Sequence, residues 1–363
     1  MTMTESAVYT PHLAGKKVLL TGGTGFVGRH LLPQLLEAGA QVTCLTRAAS
    51  RTGHLPAGVE TVQADLSTGQ GLAEALHGKD VVIHMAALLF GLGWQDYLRA
   101  NALAARSMAS AITSLARAGN LGADFRFVLV SSLAATGPCG TAPGVDDATP
   151  PAPVSAYGWS KMLTEQVLGR ALGQSLVTLR PPIIYGSGDK GLLPVFQGVM
   201  RAHVAVSPGA GREFPVSAVH ADDMAQAVLC ACKPEASGVY HLSDGEAYTM
   251  SGFCRVMGAA VDKALGRAPR NVCVVRMPLP VMACTAGLST AFAVAADAVS
   301  RRLLGRGLRR APAWNLDKYR EARQAGWLCD NSRICCELGF APRVSLEAGM
   351  TEASDGYRRE GWL

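Results

Sequence analysis

The sequence predicts an α/β chain built on a doubly wound parallel sheet with a smaller lobe added, and three observations carry that expectation. Short apolar runs rich in β-branched residues alternate with longer helical patterns. The runs are apolar throughout instead of alternating with polar residues. A glycine-crowded stretch, TGGTGFVG (Thr21 to Gly28), stands between the first run and the first helical pattern. Strands buried on both faces read as continuous apolar runs, which is what a parallel sheet covered by helices on either side requires.

The order begins with the strand KKVLLTGG, the helix RHLLPQLLEAG, and the strands QVTCLTR, ETVQADL and DVVIHMAA. A helix through WQDYLRANALAARSMASAITSLARAG follows, then the strand FRFVLVSS, a helix through SAYGWSKMLTEQVLGRAL, the strand SLVTLRPPIIYG and a further strand in GVYHLSDG near residue 240. The segments from Ser187 to Ala218 and from Glu246 onward break this rhythm. The division that follows is a dinucleotide-binding domain over 15–186 plus 219–245 and a substrate-binding lobe over 187–218 plus 246–363.

Composition bounds the rest. With 363 residues, 49% of them hydrophobic and 17% charged, the chain can bury a large core and falls outside the disordered range. The net charge of +6 comes with no Lys/Arg stripe interleaved with aromatics, so no nucleic-acid partner is expected. MTMTESAVYTPHLAG at the N-terminus has neither a basic region nor an apolar one, so no secretory signal is read and a cytoplasmic location is expected. Ten scattered cysteines without a CxxC pair read as buried thiols, and eight histidines without HxxxH or HExxH give no metal site.

The glycine stretch follows a strand and opens a helix, the context in which glycines permit a tight turn and close backbone approach while the helix N-terminus attracts a pyrophosphate. It fits GxxGxxG through Gly22, Gly25 and Gly28, and GxGxxG through Gly23, Gly25 and Gly28. This is the loop of a Rossmann-type domain. The second strand ends CLTRAASR, so Thr46 stands where a carboxylate would accept a ribose 2′-hydroxyl, with Arg47 next and Arg51 beyond. An arginine suits a 2′-phosphate, so NADP(H) is favoured over NAD(H).

Tyr157 and Lys161 lie four apart in a predicted helix, on one face, where a nearby ammonium lowers a phenol pKa and makes it usable in proton transfer. Ser131 and Ser132 end a buried strand on the side of the sheet where ligands bind.

Together these motifs resemble the extended short-chain dehydrogenase/reductase family. The resemblance extends to ADL after the third strand, HMAA at the fourth, LRPPIIYGSGD and VHADDMAQAV, and runs from about Lys16 to Asp244. It implies Tyr157 as acid/base, Lys161 as the residue that depresses its pKa and binds the nicotinamide ribose, and Ser132 as the donor to the reacting oxygen, with Ser131 as the rival. It also implies that Phe26 and Val27 belong with Gly22, Gly25 and Gly28 to the cofactor loop and that Asp65 and Leu66 lie at the adenine. Met85 to Ala87, including Ala86, would run along the cofactor, and Pro182 to Ile184 would face the nicotinamide. Asn101, Asp222 and Asp223 read as structural. Homodimers are common in the family.

Two departures narrow the reaction. Sugar-nucleotide 4,6-dehydratases of the family carry an acidic residue beside the catalytic serine, whereas Ser132 is followed by LAATG. UDP-sugar epimerases usually carry an arginine four residues before the histidine of VHADD, where this chain has Val216, although Arg212 is nearby. LLFGLGWQDY after the fourth strand is mostly apolar and suits an apolar small-molecule substrate. The expected activity is therefore NADP(H)-dependent reduction of a ketone, or oxidation of a secondary alcohol. The alternatives are an NDP-sugar epimerase and, from another class, a non-catalytic cofactor-binding sensor or assembly subunit. MPLPVMACTAGLSTAFAVAADAV (Met277 to Val299) is a long apolar segment before Arg301, Arg302, Arg306, Arg309 and Arg310. Pro280, Gly287 and Asp297 in it favour a pocket-lining helix over a spanning one, and attachment to a membrane surface is the lesser alternative.

Overall fold

The structure is a computed structural model that describes residues 10–50, 52–208, 212–304, 307 and 311–363. Its first part runs β1 (Lys17–Thr21), α1 (Phe26–Glu37), β2 (Gln41–Thr46), β3 (Glu60–Gln63), α2 (Leu72–Leu76) and β4 (Val81–His84). Then come α3 (Trp94–Tyr97), a π-helical turn Leu98–Leu103 that joins it to α4 (Ala104–Arg117), β5 (Arg126–Val130), α5 (Leu133–Thr136), α6 (Ala156–Leu172) and β6 (Leu176–Arg180). The middle holds β7 (Ile183–Tyr185), α7 (Leu193–Ala202), β8 (Val204–Pro208), β9 (Pro215–Val216), β10 (Ala218–His220), α8 (Ala221–Ala231) and β11 (Gly238–His241). The chain ends with β12 (Tyr248–Thr249), α9 (Met250–Ala264), β13 (Cys273–Met277), α10 (Leu279–Leu304), α11 (Leu316–Ala322), α12 (Ser332–Leu338) and α13 (Leu346–Arg359).

Seven strands form one parallel sheet in the order β3-β2-β1-β4-β5-β6-β11. The order reverses beside β1, which opens a crevice at the carboxyl ends of β1 and β4, the place where doubly wound sheets bind ligands. The inner strands β1, β2, β4, β5 and β6 are buried almost throughout, as their apolar runs require, whereas the edge strand β3 is largely exposed. One face carries a core of Val18, Leu20, Leu31, Leu35, Val128 and Met224 with the helices α1 and α8, and the other a core of Leu19, Val82, Met108, Ile112, Phe127 and Leu168 with α4 and α6.

The lobe is held by three two-stranded pairings, β7 with β10, β9 with β12 and β8 with β13, and by a third core in which α9 packs on α7 and α13. Residues 332–340, which the sequence division assigns to the lobe, instead return to the main sheet: Ile334, Leu338 and Phe340 are buried in the core on the α1 and α8 face. Their apolar spacing is that of any amphipathic turn, so only the tertiary contact reveals which core they enter.

The expectation of a pocket-lining helix at 277–299 is corrected. α10 is one uninterrupted helix, and only 17% of its most apolar 18-residue window is buried. Pro280 does not break it because a proline in the first turn removes an N–H that has no intrahelical partner there. Asp297 is held by Arg301 one turn on, Oδ2 to Nε at 2.6 Å. Among the described residues it is the one helix long and apolar enough to cross a membrane.

Candidate active site

The glycine loop is shaped by backbone approach. Gly22 has φ +80°, and a Cβ there would lie 2.9 Å from the backbone N of Ala86. Gly25 donates to the Gly22 carbonyl at 2.9 Å, and a Cβ on Gly28 would run into the backbone of Gly23. These glycines let the loop press against the chain after β4 and α1 press against the loop, close approaches that present the N-terminus of α1 to a pyrophosphate, so the loop fits a dinucleotide. Phe26 and Val27 begin that helix: Phe26 stacks edge-on against His30, and Val27 packs on the core below. Thr21 braces the loop from beneath. Its hydroxyl accepts from Ala86 N at 3.2 Å and meets His84 Nδ1 at 2.7 Å. Burial pushes the His84 imidazole down to about 3, so the ring is neutral and can accept the threonine proton.

At the end of β2, Thr46 is buried and donates to the Val62 carbonyl at 3.3 Å, while Arg47 is exposed and its charge reaches Asp65. Asp65 is turned into its own loop, where its Oδ1 accepts from Ser67 N at 2.7 Å, and this hydrogen bond holds the carboxyl below its ordinary range. Leu66 packs on the core facing α4. Arg51 lies outside the described residues. Pro182, half-buried, links β6 to β7, and Ile184, also half-buried, lies within β7 beside Val219 of β10.

The two serines part company at the end of β5. Ser131 is buried and its hydroxyl donates to Glu165, which is itself clamped by Arg180 Nη2 at 2.5 Å and Nε at 3.1 Å. Arg180 continues through Thr136 Oγ1 (3.0 Å) to His241 Nε2 (2.7 Å) and Asp147. Ser131 thus belongs to a buried network that ties β5, β6, β11 and α6 together. Ser132 caps α5 through Ala134 N at 3.2 Å, and its hydroxyl favours the ionised form of the Tyr157 phenol.

Tyr157 and Lys161 share the buried face of α6, but they have different partners. Lys161 Nζ donates to the Val130 carbonyl at 2.7 Å, and burial pulls its ammonium down to about 8. The cation set against the phenol is Lys318, whose Nζ lies 4.7 Å from the Tyr157 ring centre. Burial pushes the Tyr157 phenol up, and Lys318 and the Ser132 hydrogen bond pull it back. Burial would lower Lys318 itself, but Glu321, 2.8 Å from its Nζ, holds it charged above the ordinary lysine value.

Lys318 comes from α11, and so do the groups that fix the tyrosine helix. Asp317 accepts from the backbone N–H groups of Ala156 (2.6 Å) and Tyr157 (3.1 Å). Ser155 caps Gly158 N at 2.9 Å and donates to Glu321 at 2.6 Å. Sequence reasoning passed over this trio. The one available signal was the acidic and basic cluster NLDKYREA after a run without acids.

Asn101 is buried and structural, joining Leu88 N (2.8 Å) to Ser160 Oγ (2.8 Å). Asp222 pairs with His30 at 2.7 Å, and Asp223 accepts from Arg343 N and Val344 N, each at 3.0 Å. Val216 is buried in β9, so no cation stands at that position.

A glycine cradle at a sheet switch point, with a buried tyrosine, serine and lysines beside it, defines a dinucleotide-dependent oxidoreductase of the Rossmann class. The model of the NAD-dependent epimerase/dehydratase family matches residues 18–243, and the chain belongs to that family, the extended short-chain dehydrogenases/reductases. It is 33% identical over 350 residues to a ceramide reductase of Caulobacter vibrioides, covering 95% of this chain and 96% of that one. It is 27% identical over 354 residues to 4-hydroxy-2-methyl-3-oxo-4-farnesyl-3,4-dihydroquinoline-1-oxide ketoreductase of Stigmatella aurantiaca, again covering 95% and 96%. Among solved structures, WbmG of Bordetella bronchiseptica in complex with NAD superposes with a TM-score of 0.69 at 18% identity, over 96% of each chain.

Proposed function

We propose that this enzyme is an NADP(H)-dependent ketoreductase acting on a carbonyl in a large, mostly apolar small molecule. The observation that carries the reading is the placement of Tyr157 between Ser132 and Lys318 at the sheet edge beside the glycine cradle. A phenol with a hydroxyl on one side and a fixed cation on the other is equipped to lose a proton to a substrate oxygen and regain it. Two relatives named for reductions, one of ceramide and one of a farnesylated dihydroquinoline 1-oxide, support the apolar substrate. The exposed Arg47, with no carboxylate at the end of β2, supports NADP(H) over NAD(H).

The loop Gly22–Gly28, Ala86 and Lys161 would hold the cofactor, which when bound would supply the hydride that ends on the carbonyl carbon. Tyr157 Oη gives its proton to the carbonyl oxygen as charge grows there. Ser132 Oγ donates to the same oxygen and fixes its position. Lys318 stabilises the tyrosinate left behind, and Asp317 keeps the tyrosine helix from shifting as it forms.

Titration of the purified protein with NADPH and NADH by fluorescence tests the cofactor. NADPH oxidation against ketones with long alkyl, isoprenoid and steroid skeletons, with UDP-sugars alongside, tests the substrate. Tight NADPH binding and oxidation by an apolar ketone are expected. In the Tyr157→Phe variant, NADPH binding should persist while turnover falls by about 10²-fold or more. Interconversion of a UDP-sugar without net cofactor oxidation would overturn the reading in favour of an epimerase.

A further inference from the structure

α10 leaves on the surface what folded proteins normally bury. Leu288, Phe292 and Leu303 are 73%, 78% and 75% exposed, and Val281 and Val299 are about half exposed. At about 100° per residue these five fall on one side of the helix. Met282, Ala286 and Ala293 are buried on the other. The inner side is tied down: Ser289 Oγ donates to the Trp314 carbonyl at 2.8 Å, Trp314 Nε1 to Thr285 Oγ1 at 3.1 Å and Leu316 N to Thr290 Oγ1 at 3.0 Å. A helix bonded along one side to its own protein cannot stand across a bilayer, but its free side can lie in one.

Charge selects the occupant. From Ala298 to Leu316 the sequence has five arginines, Arg301, Arg302, Arg306, Arg309 and Arg310, and no acidic residue. The last three lie outside the described residues. A second copy of this chain brings no acidic side chain from this helix to match that run, because Asp297 is already held by Arg301. An apolar strip followed in the sequence by five arginines and no acidic residue up to Leu316 matches acyl chains beneath anionic headgroups.

We infer that α10 docks the protein on an anionic lipid bilayer, its free side among the acyl chains and its arginine end at the phosphates. The docked helix is one step from the chemistry. α11 packs on the inner side of α10 and carries Lys318 to Tyr157, and Phe90, from the apolar loop after β4, has its ring centre 5.7 Å from Lys318 Nζ. That the bilayer also delivers the substrate rests on the ketoreductase reading; the docking does not.

Flotation of the full chain tests it, with vesicles of phosphatidylcholine alone and of phosphatidylcholine containing about one-third phosphatidylglycerol. The protein should float with the anionic vesicles, less with the neutral ones and less again at high salt. Leu288→Ser/Phe292→Ser should lower the bound fraction by about tenfold or more, and Arg301→Gln/Arg302→Gln should remove the preference for anionic lipid. Circular dichroism and thermal unfolding verify the fold of each variant. Protein that stays in the bottom fraction, or floats equally well as Leu288→Ser/Phe292→Ser, overturns the proposal. A dimer that Phe292→Ser dissociates, without flotation, would assign the face to a second copy instead. Turnover of a water-soluble ketone without vesicles is read separately, so loss of the ketoreductase reading leaves the docking result intact.

Discussion

A buried phenol is a poor proton donor unless something stabilises its anion, and at Tyr157 Lys318 is the cation that pulls the phenol pKa down. Lys318→Met should therefore raise the Tyr157 pKa, moving the rising limb of alcohol oxidation to higher pH by about one unit or more. Lys318→Arg should keep the limb near its original place, which a merely structural role would not predict. Lys161 makes a different prediction. Its ammonium is held at about 8, below its unfolded value, so between that pH and the ordinary lysine range the unfolded chain binds more protons. Stability of the cofactor-free protein should then rise with pH through this window, and Lys161→Met should flatten the rise in urea unfolding midpoints. Tyr157, Lys161 and the glycines were legible in the sequence because their geometry is local: four residues on a helix, or a turn between strand and helix. Lys318 was not, because it lies 161 residues beyond Tyr157, and no spacing rule reports which distant helix packs against a given face.

At the scale of elements, α11 holds the N-terminus of α6. Asp317 satisfies two of the backbone donors that the first turn of α6 leaves without intrahelical partners. Asp317→Ala should cost about 1–2 kcal/mol and lower kcat more than KM, because Tyr157 loses its fixed register. Thermal unfolding and steady-state kinetics on the same preparation separate the two effects. The main sheet was legible strand by strand, since continuous apolar runs permit little else. The fate of α10 was not. Its composition favours a pocket wall over a membrane surface only as long as Pro280 and Gly287 look like interruptions, which they do until their positions in the helix are known. Gly287 has no neighbour within 4 Å of where a Cβ would stand. Gly287→Ala should therefore stabilise by about 0.5–1 kcal/mol.

Across the whole molecule, α13 fastens the β7–β10 pair to α9 in the core of the lobe. Gly349, in that helix, faces β7 and β10 so tightly that a Cβ would stand 2.7 Å from His220 Cδ2 and 2.7 Å from Tyr185 Cε2. Neither ring can retreat. Tyr185 packs edge-on against His220 and Phe253, and His220 is hydrogen-bonded to Glu352, which also accepts from Ser187 N at 2.9 Å. One added methyl must then push α13 away from the β7–β10 pair, and overpacking of this kind costs about 1–3 kcal/mol. The same pair begins at Ile183 and Ile184, beside the carboxyl edge of the main sheet. Gly349→Ala should consequently lower the thermal midpoint and weaken NADPH binding together, although residue 349 lies in the lobe, outside the glycine cradle. Calorimetry with and without NADPH measures both. A lower midpoint with unchanged NADPH stabilisation would mean that α13 fastens the lobe without setting the shape of the cofactor crevice.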